Sequence, residues 1–192
     1  MVAAVLRQLG IHLGDETDTS VFEDRAIAAA IDRGDMEAFR KIVADNNSNH
    51  TVWGFKRPKA LTKLHDIVKD LRNPRIVVTM RDCVAIAVRN SKCVYHDEFE
   101  GIRKAAQATV SALGALEGIT CPVLMVSYEK AMSNPRKFTR QLAAFCGLTP
   151  SPEEIQAVVP VMKNGPELYL QNARLIYDGA FTVEGGRIRG WV

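Results

Sequence analysis

The sequence predicts an α/β domain with a parallel sheet flanked by helices. Two segments, RIVVTM (75–80) and PVLMVSY (122–128), are continuous apolar runs of strand length, the pattern of parallel strands covered on both faces. The segments around them repeat their apolar residues at helical spacing. Strand and helix therefore alternate along the chain, the order of a layered fold and not of a sandwich or a helical bundle.

Taken in order, residues 2–9 read as a helix with Val2, Val5, Leu6 and Leu9 on one face, stopped at Gly10. IHLGDETDTSVFED follows as a loop rich in turn formers. Residues 23–44 carry one or two helices with a break near Gly34-Asp35, where Asp35 is placed to cap the second. TVWGF (51–55) reads as a short strand ending in Lys56-Arg57-Pro58. Residues 59–71 are helical, Asn73-Pro74 turns the chain, and RIVVTM runs into a helix with Asp82 as its cap. A longer amphipathic helix follows from HDEFEG to about Leu116, then the second buried strand. NPRKFTRQLAAFCGL has Pro135 in its first turn, Phe138, Leu142 and Phe145 on one face, and Gly147 as a stop. SPEEIQAVV is a further helix capped by Ser151, and VEGGRIRGWV alternates like the opening of a β-hairpin. The expected division is a domain over 1–164 and an extension over 165–192.

Composition narrows the function. Hydrophobic residues make up 47% of the 192, enough for a sizeable core, and the net charge of +3 is too small and too scattered to favour nucleic acid. Cys83, Cys93, Cys121 and Cys146 have no CxxC spacing and read as reduced thiols, and the four histidines lack ligand spacing, so no metal is expected. The N-terminus lacks the basic start and cleavage site of a signal peptide, and no apolar run approaches the ~18 residues of a membrane span. A cytoplasmic location is the expectation. GxxxxGK[ST], GxGxxG, GxSxG and HExxH are all absent, which leaves hydrolase and metalloenzyme chemistry without support.

In a parallel sheet, ligands bind at the carboxyl ends of the strands, where the following helices present backbone N–H groups. Arg81, Lys56 and Tyr128-Glu129 all fall at such ends. The fork of Arg81 suits phosphate oxygens. Arg89 lies roughly 80° further round the helix, within reach of the same anion if that anion lies along the axis. The alternative is an Arg81 paired to a carboxylate and a solvated Arg89. Lys56 is placed to neutralise a transferring anionic group or, equally, to be a solvated turn residue. Glu129 and His96 are candidate general bases, against a helix anchor and a surface histidine respectively.

Four segments, in this order, resemble the bacterial PAPS-dependent sulfotransferases of the P-loop nucleotide-binding superfamily. LGIHLGDE is similar to the stretch after that family's first helix, and VWGFKRPKAL resembles its "WGWKDPR" strand-turn. RIVVTMRDCVAIAVRN resembles its strand-helix for the nucleotide 3′-phosphate, and VLMVSYEKAMSNPRKFTRQLAAFCGL its "YEDLLxDP…FLGL" unit. The likeness covers about residues 9–150. It implies a three-layer P-loop-like fold and transfer of a sulfuryl group from PAPS to a hydroxyl or amine of a carbohydrate or small-metabolite acceptor. Arg81, with Arg89, Asn90 and Ser91, would hold the 3′-phosphate; Lys56 would face the transferred group. No metal is implied, and no partner beyond the nucleotide, the acceptor and a possible second copy. Arg89 stands where the family has serine, and Arg57 where it has aspartate, which makes the turn more basic.

The family's opening strand and "PRSGTS"-like loop have no counterpart; MVAAVLRQLG resembles the helix that follows them. That strand lies between the other two in the P-loop fold, so 75–80 and 122–128 are expected to flank a gap with two unpaired edges. A displaced or cut start, a borrowed strand and a member that no longer catalyses transfer are the three explanations. The functional alternatives are a non-catalytic nucleotide- or partner-binding module and a P-loop kinase-like transferase.

Overall fold

The computed structural model describes residues 1–17, 22–93, 98–163, 181–184 and 187–190. The chain opens with α1 (Val2–Gln8), α2 (Arg25–Arg33) and α3 (Met36–Asn49), followed by a 3₁₀ helix (Pro58–Lys63) and α4 (Leu64–Asp70). Then come β1 (Ile76–Met80), α5 (Cys83–Cys93), α6 (Glu98–Leu116), β2 (Val123–Ser127) and α7 (Tyr128–Ser133). α8 (Pro135–Cys146), α9 (Pro152–Lys163) and the strands β3 (Phe181–Glu184) and β4 (Arg187–Gly190) complete it.

The caps form as the sequence predicts. Asp35 Oδ1 accepts from Ala38 N–H at 3.0 Å, so the Gly34-Asp35 step divides two helices, with Gly34 in the left-handed region at φ 73°. Asn134 and Pro135 start α8, and Gly147 ends it at φ 77°. Ser151 and Glu154 exchange backbone N–H bonds at 3.2 and 2.7 Å, a reciprocal capping box that fixes the start of α9.

The sheet differs from expectation in three ways. β1 and β2 pair directly and in parallel, Ile76 opposite Val123 through Met80 opposite Ser127. No gap separates them: the two facing edges pair with each other, which satisfies the backbone groups that an open slot would leave bare. TVWGF is not a strand. Trp53 makes a single parallel bridge to His12, supported by Gly54 N–H donating to the His12 carbonyl at 2.9 Å. Its side chains do the packing, with Trp53 against Phe55 and Phe55 edge-on to Phe39 at 5.9 Å between centroids. Third, the two strands are not covered evenly. Val77, Leu124 and Val126 face α1, α8 and α9, whereas on the other face Val78 is buried and Met125 stays half exposed. A two-stranded ribbon offers less face to cover than the wide sheet that continuous apolar runs predict. Near the C-terminus β3 pairs antiparallel with β4, so RIRG is the second strand of a hairpin and not its opening one.

Two hydrophobic clusters build the core. Val5, Val126, Phe138, Leu142, Val158 and Met162 join α1, β2, α8 and α9. Ile27, Ile31, Phe39, Val43, Ala60 and Ile67 join α2, α3, the 3₁₀ helix and α4. α5 packs on α6, where a Cβ on Gly101 would stand 3.1 Å from that of Ala87, so the two helices approach closely.

The loop after α1 is organised by one buried carboxylate. Asp24 caps α2 through Ile27 N–H at 2.9 Å, and its second oxygen accepts from Glu16 N–H at 2.9 Å. Thr17 bridges to Asp24, and Thr17 Oγ1 donates to the Leu13 and Gly14 carbonyls. Gly14, at φ 105°, passes so close that a Cβ there would sit 2.5 Å from Asp24 Oδ2. Asp24→Ala removes a cap and strands a buried N–H, so it is expected to lower unfolding free energy by about 2–3 kcal/mol in urea titrations. Gly14→Ala should destabilise comparably, through the contact and the backbone together.

Candidate functional site

The carboxyl ends of β1 and β2 meet. Direct pairing puts Met80 beside Ser127, so the next residues, Arg81-Asp82 and Tyr128-Glu129, face one another across the rim. The Arg81 guanidinium stacks on the Tyr128 ring, its carbon 4.7 Å from the centroid. Glu129 Oε1 accepts from Asp82 N–H at 3.0 Å, while Asp82 Oδ1 accepts from Ala85 N–H at 2.8 Å. Two carboxylates thus stand at the start of α5, one from its own cap and one from the neighbouring strand. Burial raises the Tyr128 pKa; the Arg81 charge opposes this and Glu129 adds to it. Tyr128 remains a neutral platform under the guanidinium at physiological pH.

Lys56 lies in a second group of charges. Its Nζ donates to Glu23 Oε1 at 2.7 Å. Arg57 reaches the other Glu23 oxygen and grips Asp32 with both arms of its fork, Nε to Oδ1 at 3.0 Å. Lys59 adds a longer contact to Asp32 at 3.3 Å. Partial burial raises the Glu23 pKa, but the hydrogen bonds and charges of Lys56 and Arg57 outweigh it and hold the carboxyl below its ordinary 4.5. The fork of Arg57 is the main reason that Asp32 also lies below its ordinary value. The Met1 ammonium is made less basic chiefly by burial and further by the Lys56 charge.

The structure therefore joins Arg81 with Glu129 and places Lys56 with Glu23. The turn is not simply more basic for carrying Arg57, because Glu23 and Asp32 take up that charge. Arg89, Asn90 and Ser91 lie on α5, with side chains outside the described residues, and His96 lies outside them altogether. Sequence reasoning missed Glu23, Asp32 and the stacking role of Tyr128. Glu23 follows Phe22, held at φ 57°, and precedes the Asp24 cap, but nothing in FEDR signals a lysine 33 residues away. The thiols of Cys83, Cys121 and Cys146 are free and half-buried. Among the described residues no group of three or more His, Cys, Asp or Glu could hold a metal, and no helix is long and apolar enough to cross a membrane.

Against known proteins, the sequence model of the sulfotransferase family matches residues 7–152, a span that includes both strand ends and the Lys56 cluster. No curated protein and no solved structure matches the chain.

If Glu129 ties the two strand ends, Glu129→Ala should lower stability by about 1–2 kcal/mol, and Glu129→Gln, which keeps an acceptor for Asp82 N–H, by clearly less. Acid titration tests the second cluster. Because Glu23 and Asp32 are depressed in the folded chain, the stability they contribute is complete above their ordinary carboxylate values and is lost as pH falls below about 4.5. Glu23→Gln should flatten the fall in Tm over that acidic range.

Proposed function

The chain belongs to the sulfotransferase family, and from that premise we propose that it binds PAPS at the carboxyl edge of β1 and β2 and transfers its sulfuryl group to a hydroxyl or amine of a carbohydrate or small metabolite. The observation that carries the reading is Arg81. It leaves the end of β1 within the matched region as a permanent cation stacked on Tyr128.

Arg81 holds the 3′-phosphate, with Arg89, Asn90 and Ser91 further along α5 as its companions. Lys56 faces the transferred group. In-line attack by the acceptor oxygen or nitrogen on sulfur forms one bond as the bond to the 5′-phosphate oxygen breaks. Negative charge grows on that leaving oxygen, where a nearby ammonium is worth most. The acceptor proton goes to Glu129 or His96. Both oxygens of Glu129 lie near polar neighbours, Asp82 N–H and Ser127 Oγ at 3.5 Å, which fixes the carboxylate at the rim. The chemistry requires no metal.

A second reading, a nucleotide-binding module without transfer, draws on the direct β1–β2 pairing. It leaves no slot for the strand and phosphosulfate loop that the resemblance places between them.

Calorimetry with adenosine 3′,5′-bisphosphate, followed by a sulfate-transfer assay over an acceptor panel, separates the readings. Binding by the parent chain, weakened about 10- to 100-fold by Arg81→Ala, is expected. Absence of binding, or indifference to Arg81→Ala, sinks the nucleotide site. Binding without transfer to any acceptor supports the module. Glu129→Gln should keep the affinity and lose turnover if Glu129 is the base.

A further inference from the structure

The five charged side chains of this cluster, Lys56 among them, are not equivalent. Glu23 and Arg57 are only 16% exposed and Asp32 32%, and the Arg57 fork joins the two carboxylates in a connected chain. Lys56, at 41%, hangs on the outer side of Glu23, and Lys59, at 71%, on the outer side of Asp32. The inner three form a self-sufficient unit: if Lys56 leaves, Glu23 still has Arg57, and Arg57 still has Asp32. Departure of the lysine therefore leaves neither Glu23 nor Arg57 without an oppositely charged partner, and a stranded partner is what usually makes breaking a shielded ion pair expensive. The frame itself is held in place, since Glu23 sits between the left-handed Phe22 and the doubly bonded, buried Asp24.

We propose that Glu23 is an internal competitor for Lys56: its carboxylate occupies the ammonium in the unliganded chain and yields it to the sulfuryl or 5′-phosphate end of the nucleotide. The inference rests on the assignment of Lys56 to that end of PAPS under the proposed function. Glu23 acts through Lys56 and is a positioning residue, not a catalytic one. The exchange swaps one oxyanion partner of the ammonium for another, so no proton moves. Arg57 stays with its carboxylates throughout, which leaves Lys56 as the member of the turn that answers to ligand.

The test is a double-mutant cycle on the full chain, with Glu23→Gln, Lys56→Met and the pair, measuring PAPS affinity by calorimetry and Tm by thermal unfolding. Glu23→Gln is expected to tighten PAPS binding by about two- to fivefold, the worth of a partly exposed ion pair, while lowering Tm because Arg57 loses a charged partner. Lys56→Met should weaken binding, and adding Glu23→Gln to it should then change affinity little. A merely structural Glu23 would lower Tm without tightening binding, and that result overturns the proposal, as does an equal gain in the Lys56→Met background. Should Glu23→Gln fold poorly, Glu23→Asp, which shortens the reach to Lys56 while keeping the charge on Arg57, must show the same direction of effect. If Lys56→Met leaves PAPS affinity unchanged while Arg81→Ala abolishes it, the placement of Lys56 fails and the nucleotide site stands. If neither matters, the proposed function itself fails.

Discussion

The direct parallel pairing of Ile76–Met80 with Val123–Ser127 is the constraint on which the rest of the molecule depends. Five aligned residue pairs bring two chain segments nearly fifty positions apart to a common end, and everything at the rim follows from that alignment. Arg81 stacks on Tyr128 because both are the first residue past a strand. Glu129 reaches Asp82 N–H because both are the second. A register slip would break all of these contacts together and turn Val126 out of the core formed with Val5, Leu142 and Val158. The hydrophobic side of the ribbon thus enforces the geometry of its polar end.

A second organising element lies near the chain's start, where Asp24 replaces what a longer ladder would supply. One buried carboxylate caps α2, accepts from the incoming loop at Glu16 and leaves room only for glycine at position 14. Glu23, its neighbour in sequence, carries the contacts to Lys56 and Arg57. The two charged groups differ in character as a result. At the strand ends a cation lies over an aromatic face. At the turn a cation is paired to a carboxylate.

Much of the local structure was legible in the sequence because it is decided locally. Capping by Asp35, Asp82 and Ser151, the stops at Gly34 and Gly147 and the two apolar strands depend on residues within a few positions of one another. The failures had tertiary causes. TVWGF has strand composition, but its backbone pairing amounts to the Trp53 bridge to His12 and the Gly54 N–H bond beside it. Its aromatic residues serve packing against Phe39, a contact that β-propensity cannot distinguish from a ladder. The expected gap beside RIVVTM came from the resemblance and not from the residues, and the pairing closes it.

The site divides in the same way. By themselves, the residues of the sequence determined that a permanent cation stands at the end of a buried strand and a lysine at the end of an aromatic turn, since apolar runs and breakers fix where each element stops. Their resemblance to sulfotransferases, upheld by the family match over residues 7–152, determined the chemistry to expect. Only the tertiary structure decided which partners those cations have: Tyr128 beneath Arg81, Glu129 on the backbone of Asp82, Glu23 on Lys56. Coulomb and stacking energies fall off within a few ångströms, so the partner that matters is the nearest in space. No local pattern in the chain encodes that two residues 33 or 47 positions apart will touch.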